Sequence, residues 1–267
     1  SAFQVLYKSE KSTSLIDHTY GIFPEDSNSI YISAVNGFYK VNNAAEILPL
    51  SEKQTFFYSF KDPFGRIWAS NLNGTFLIHG DQFIPINKVY PEFSKFDILV
   101  INSSVSINDS LIILGTENKK GVILWWFKKS VCLILNNKST PAIKENVINT
   151  VFKDNKGYAW ILSDNSVAIF DASKMSIDYL QVENIKAKEK YSIFFDACFF
   201  NNKYYIASYG AGILEFSSGR NFLKKISVSD GLTNNGVYKI IPYKDTLLIV
   251  TTNRGINILN SENKIIK

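Results

Sequence analysis

One pattern recurs six times along the 267 residues, and it restricts what the chain can fold into more than any other feature. The copies are "NSIYISAVNGFYKVN" (28–42), "GRIWASNLNGTFLIHG" (65–80), "DSLIILGTENKKGVILWW" (109–126), "GYAWILSDNSVAIFD" (157–171), "KYYIASYGAGILEFS" (203–217) and "DTLLIVTTNRGINILN" (245–260). Each has a turn residue, an apolar or aromatic pair, a small polar patch, usually a glycine, and a second apolar segment. Tyr31, Trp68, Ile113, Trp160, Tyr205 and Ile249 fill one slot, with spacings of 37, 45, 47, 45 and 44 residues. A further apolar segment precedes each copy by about ten residues, as in "FFYSFKD" and "VYKIIPY", and another follows, as in "SVCLIL" and "FLKKISV". Each repeat therefore holds four short strands.

A lone four-stranded unit leaves both faces wet, whereas radial stacking buries the faces and leaves short edges. A period near 40–50 residues is that of β-propeller blades. Composition agrees: twenty Phe, fourteen Tyr and one Met suit pleated, half-buried surfaces. The expected fold is all-β, a single β-propeller domain with repeat units near 5–46, 47–88, 89–140, 141–184, 185–226 and 227–267. Six units close a ring of six, or of seven if terminal segments complete a blade, or form part of an incomplete ring. An open β-solenoid, with shorter and more uniform repeats, is the runner-up. Only 43–54 and 181–190 could hold a helical turn or a loop.

The turns have a mechanism. "KDPFGRIW" and "KDNKGYAW" set Asp62 and Asp154 at the first turn position, where the carboxylate can bond the turn backbone. Gly65 and Gly157, at the fourth, can take positive φ. Trp68 and Trp160 are expected in the core between neighbouring blades.

Several function classes are disfavoured. A net charge of +5 is mild, and Lys119-Lys120, Lys128-Lys129 and Lys224-Lys225 do not form the basic face that nucleic acid requires. Cys132 and Cys198 sit in apolar surroundings and read as buried thiols, not a metal site. The start lacks a signal peptide and no run is long enough for a membrane span. The chain begins and ends abruptly and reads as a segment of a longer protein. No carboxylate pair stands out by spacing for glycoside chemistry, and His18 and His79 are the only histidines. No catalytic residue, metal or cofactor is expected.

A binding face is easier to place. The loop leading into each first strand and the loop between strands two and three share one end of a propeller blade. That end collects Asn36, Asn71, Asn73, Glu117, Asn118, Asp164, Asn165, Tyr209, Asn253 and Arg254, with His18, Asp230 and Asn234 from the leading loops. Amides, carboxylates and a phenol suit sugar hydroxyls, which need paired donors and acceptors. Asn and Asp also serve turns, which accounts for any one of them alone.

The last unit, "VSDGLTNNGVYKIIPYKDTLLIVTTNRGINILN" (228–260), resembles the periplasmic propeller repeat of bacterial two-component regulators. Asp230-Gly231-Leu232 match its opening, Val237-Tyr238 its inner strand, and Thr252 and Gly255 its later signature. "DPFGRIWASNLNGT" and "DNKGYAWILSDNS" match the middle of the repeat. The third copy departs by the extra "ENKKG" and the fourth has Ser166 where glycine is usual. The resemblance implies a sensor propeller of a Bacteroides-type hybrid two-component histidine kinase. It further implies a periplasmic location within an inner-membrane protein, neighbouring propeller and β-sandwich domains, a homodimeric receptor and an oligosaccharide ligand. A glycan-active propeller enzyme and a structural interaction platform are the alternatives.

Overall fold

The computed structural model describes residues 16, 19–80, 82–182 and 193–266. Six antiparallel meanders follow one another in chain order. They group into two compact units, 1–102 and 103–267.

The first unit holds two sheets. One is β1 (Thr19–Pro24), β2 (Ser29–Ala34), β3 (Gly37–Asn42) and β4 (Ile47–Glu52); the other is β5 (Tyr58–Lys61), β6 (Ile67–Asn71), β7 (Gly74–His79) and β8 (Gln82–Pro85). A short helix, α1 (Ile86–Val89), and a 3-10 turn, Pro91–Phe93, follow. The core here contains Tyr31, Phe38, Phe56, Ile67 and Ala69, from both sheets.

The second unit begins within β9 (Ile101–Ser106), which pairs with β10 (Leu111–Thr116), β11 (Val122–Trp126) and β12 (Val131–Leu135). The next sheet is β13 (Thr150–Lys153), β14 (Ala159–Leu162), β15 (Val167–Asp171) and β16 (Ser176–Tyr179). Then come β17 (Ile193–Phe200), β18 (Lys203–Tyr209), β19 (Gly212–Ser217) and β20 (Phe222–Ile226). The last sheet has β21 (Val237–Tyr243), β22 (Leu247–Thr252) and β23 (Gly255–Asn260) among the described residues. Beyond β23 the chain turns back, and Ile265 bridges to Leu259.

These sheets are the blades of a six-bladed β-propeller, and burial shows why blades must stack. Every residue of β6, β10 and β14 is buried, so these strands are covered on both faces. The fourth strand β20 is exposed at four of its five positions. Three successive cores in the second unit draw side chains from neighbouring blades: three with four, four with five, five with six. Removing a fully buried Trp or Phe from such a core costs about 3–5 kcal/mol.

The repeat register holds at the level of single residue pairs. Tyr31, Trp68, Trp160, Tyr205 and Ile249, on the second strand of each blade, face Phe23, Phe60, Phe152, Cys198 and Ile241 on the first. Cys132 and Cys198 are free and buried.

Two details differ from the sequence expectation. Residues 47–52, assigned to the second unit within a segment that could hold a helical turn or a loop, form the fourth strand of the first blade. Pro49 is accommodated because β4 is an edge strand with an irregular step opposite Phe38/Tyr39. Helix α1 and the following 3-10 turn had no clear periodic signal, being shorter than two turns. Residues 183–190 of the other ambiguous segment lie outside the described residues.

Candidate functional site

The two ends of a blade differ chemically. At the end bearing the first hairpin turn, the two Asp-x-x-Gly turns close as their residue types require. Asp62 Oδ1 accepts the Phe64 and Arg66 N–H groups at 2.9 Å, and Gly65 takes φ +79°. The other carboxylate oxygen does something that turn chemistry does not demand. Asp62 Oδ2 accepts Trp68 Nε1 at 2.9 Å, Tyr90 Oη at 2.8 Å and Arg66 Nε at 2.8 Å. Asp154 repeats the device, with Trp160 Nε1 at 3.0 Å and Tyr204 Oη at 2.9 Å. Each aspartate thereby latches the indole of its own blade and a tyrosine from elsewhere in its unit. Burial, followed by the bond to Asp154, pushes the Tyr204 phenol well above its usual range. These carboxylates are engaged in structure and unsuited to ligand chemistry.

At the opposite end of blades three to six, leading loops and second-to-third-strand loops meet, as the repeat predicts. Between blades three and four, Glu145 gathers the tip of the β14–β15 turn. It accepts Asn165 N at 2.8 Å, Asn165 Nδ2 at 2.6 Å and the Ser163 hydroxyl. Asn149 Nδ2 donates to Asp164 Oδ1 at 2.9 Å and to the Phe194 carbonyl at 3.0 Å, tying blade four to blade five. Glu145, Asp164, Lys119, Asn146 and Val147 line a hollow of about 250 Å³.

Between blades five and six the surface is aromatic. Phe195 and Tyr238 lie 5.1 Å apart, Phe195 and Tyr209 6.2 Å, and Tyr209 and Tyr238 6.1 Å, centroid to centroid. Tyr209 is 38% and Tyr238 40% exposed. Behind the rings, Asp196 Oδ1 meets Lys239 Nζ at 3.2 Å and Oδ2 accepts the Ile240 N–H at 3.0 Å. Burial raises the Asp196 carboxyl above the ordinary range, against the opposing pull of Lys239 and the backbone donors. Burial likewise pushes the Cys198 thiol up.

The residues expected on this face take varied positions. Tyr209, Asn234 and Asn253 come together: Tyr209 bridges to Gly236, the Asn253 N–H donates to the Gly236 carbonyl at 3.0 Å, and Asn234 Oδ1 accepts the Gly236 N–H at 2.7 Å. Arg254 is exposed in the same β22–β23 turn, its N–H bonded to Thr252 Oγ1 at 3.2 Å. Asp164 and Asn165 join the Glu145 cluster, and Glu117 and Asn118 lie in the β10–β11 turn. Asp230 caps a 3-10 turn reciprocally with Ser227, accepting its N–H at 2.9 Å. In the first unit, Asn36 lies in the β2–β3 turn, and its carbonyl accepts Lys53 N at 2.9 Å. Asn71 is buried and folds its own turn by accepting the Asn73 N–H at 2.8 Å, leaving Asn73 exposed. His18 lies outside the described residues.

Glu145, Asn149, Phe195 and Tyr238 escaped the sequence reading. A signal for three of them existed. Eleven residues ahead of the register slot, or ten in blade five, stand Tyr20, Phe57, Asn102, Asn149, Phe195 and Tyr238: four aromatics and two amides. Glu145 has no counterpart signal, because only the folded loop brings it to Asn165.

No protein-family model matches the sequence, and no curated protein matches it. Among solved structures, the extracellular domain of a protein described as the hybrid two-component system BT3049 of B. thetaiotaomicron aligns at TM-score 0.70. Identity is 15%, over 94% of this chain and 35% of that one. The extracellular domain of BT4673 from the same organism aligns at 0.55, with 12% identity over 98% of this chain and 44% of that one. Virginiamycin B lyase from Staphylococcus aureus aligns at 0.69, with 11% identity over 93% of this chain and 83% of that one. The chain thus spans less than half the length of the receptor domains it matches. At these identities the likeness establishes the fold, a β-propeller shared by extracellular domains of bacterial two-component proteins and by a lyase. The receptor domains are of the same group as the resemblance read in the last repeat.

Proposed function

We propose that this chain is a non-catalytic sensor propeller of a hybrid two-component protein. It sits in the periplasm, as part of an inner-membrane receptor with a histidine kinase. Its ligand is an oligosaccharide, and neighbouring propeller and β-sandwich domains dock around it. The observation that carries this reading is the chemical division of the blades. The turn-end aspartates are closed into latches, while the opposite end of blades three to six gathers amides, carboxylates and half-exposed rings. Hydroxyl-rich ligands suit such a mixture of paired donors, acceptors and aromatic faces. The receptor neighbours and the DGL-opened last repeat support the same reading. The lyase neighbour shares the fold, which by itself hosts many chemistries. On the binding face, Glu145 and Asp164 are held by intrachain hydrogen bonds, which favours recognition over catalysis.

A ligand acts on a receptor only through its different affinities for two arrangements of the packed domains. The test uses the intact gene product in membrane vesicles, with histidine phosphorylation measured against a series of oligosaccharides. A saturable change with one of them is expected. Unchanged phosphorylation together with release of product from a polysaccharide would replace the sensor reading with the enzyme.

A further inference from the structure

Two neighbouring first strands, β17 and β21, carry the same irregularity at the same place. In β17 the pairing with β18 steps from Phe194↔Ser208 to Asp196↔Ala207, leaving Phe195 unpaired. In β21 it steps from Val237↔Thr252 to Lys239↔Thr251, leaving Tyr238 unpaired. Bulges re-aim a side chain and recur next to functional sites. Here each bulge brings out an aromatic ring directly after a buried residue. Phe194 and Asp196 flank Phe195, and Val237 precedes Tyr238; all three are buried. The residue after each bulge then ties the strands together, since Asp196 holds Lys239 and the Ile240 N–H. The spacing of the two rings is therefore built in.

Gly236 makes the third component. A methyl group there would lie 2.6 Å from Asn253 Nδ2, 3.0 Å from Asn234 Oδ1 and 3.1 Å from Tyr209 Cε2. Only a residue without a side chain lets two amides and a ring converge at this point.

We infer that Phe195, Tyr209 and Tyr238, with the amides of Asn234 and Asn253, form a stacking subsite for one pyranose ring of a saccharide. This rests on the sensor reading above and assigns its ligand contact. A pyranose has an apolar C–H face and an equatorial belt of hydroxyls. The rings supply a surface for the first, and the amides and phenols supply donors and acceptors for the second. A protein partner fits less well, because a stable interface buries more than about 1,000 Å² and this cluster is three rings edged by amides. Single-stranded nucleic acid also stacks on rings but needs cations along the backbone, and the adjoining Lys239 amine is held by Asp196.

The experiment screens the purified chain against an array of α- and β-linked gluco-, manno-, xylo- and galacto-oligosaccharides, then measures the best binder by calorimetry. Tyr238→Ala and Phe195→Ala are each expected to weaken binding tenfold or more. Tyr243→Ala, an exposed tyrosine at the far end of β21, is expected to leave binding unchanged. Circular dichroism and melting curves of all three variants establish that they fold. Binding that survives Tyr238→Ala and Phe195→Ala would overturn the subsite while leaving a saccharide sensor standing. An array without a binder would overturn the saccharide assignment, whereas the phosphorylation assay still decides the sensor reading.

Discussion

The seam between blades four and five and the seam between blades five and six are built from similar strands but solve different problems. In the first, Trp160 packs on Tyr204 at 4.3 Å and both donate to Asp154, which is buried at the turn end. The carboxylate receives neutral donors, and the surrounding core of Leu162, Phe194, Leu214 and Phe216 is fully buried. In the second, the buried carboxylate next to the rings is Asp196, its partner is the exposed Lys239, and the seam opens onto half-exposed rings. A buried carboxylate costs folding free energy unless it is paired and hydrogen-bonded. The first seam meets that demand wholly within the protein and closes. The second meets it with a partner that reaches solvent, and its end is left accessible.

The largest expected effect breaks the closed seam. Asp154→Ala removes the acceptor for two buried side-chain donors and two turn N–H groups, the latter from Lys156 and Tyr158. It should destabilise by roughly 3–5 kcal/mol in urea unfolding. Asp62→Ala tests the same latch in the first unit, with Tyr90 in place of Tyr204 and Arg66 Nε added. A loss there below about 1 kcal/mol would show that the two latches are not equivalent. Next comes Tyr204→Phe, which deletes one donor to Asp154 and keeps the ring packing. About 1–2 kcal/mol is expected, and no loss would mean that the ring alone holds the seam.

The third prediction concerns the open seam and pH. The folded-state pKa of Asp196 lies above its unfolded value, so ionising it opposes folding. Its contribution is most favourable below the ordinary carboxylate range and is lost as pH rises through the raised pKa. Asp196→Asn abolishes that titration. Urea midpoints followed upward from about pH 4 should therefore shift in favour of the variant, relative to wild type. A shift the other way would mean that Lys239 outweighs burial. Smallest is Gly236→Ala. Its clashes are with flexible side-chain ends, so stability should change by less than about 1 kcal/mol, while saccharide binding falls. A large loss of stability would place Gly236 in the scaffold of this seam.

Much of the molecule was legible in advance. Tyr31, Trp68, Trp160 and Tyr205 mark the register because every blade needs a bulky residue at one rung, and a periodic need leaves a periodic trace. The Asp-x-x-Gly turns were readable because turn geometry is local. The latches were not, since the second oxygen of Asp154 is committed by Tyr204, fifty residues away. Strand β4 was misread because "NAAEIL" has helical composition and its strand state comes from pairing with β3. On the candidate site, the turn amides were visible, but Asp230 and Asn71 proved to be occupied by their own turns.

By itself, then, the sequence determined the repeat, the four short strands of a unit, the β-propeller class and the end of each blade that carries polar loops. These follow from a unit that recurs about every forty-five residues along the chain and from the turn residues between its short apolar segments. Only the tertiary structure decided which carboxylates are closed off and which rings emerge. Those outcomes depend on bulges in β17 and β21 and on donors from neighbouring blades, and hydrogen bonds between distant residues leave no mark in local composition.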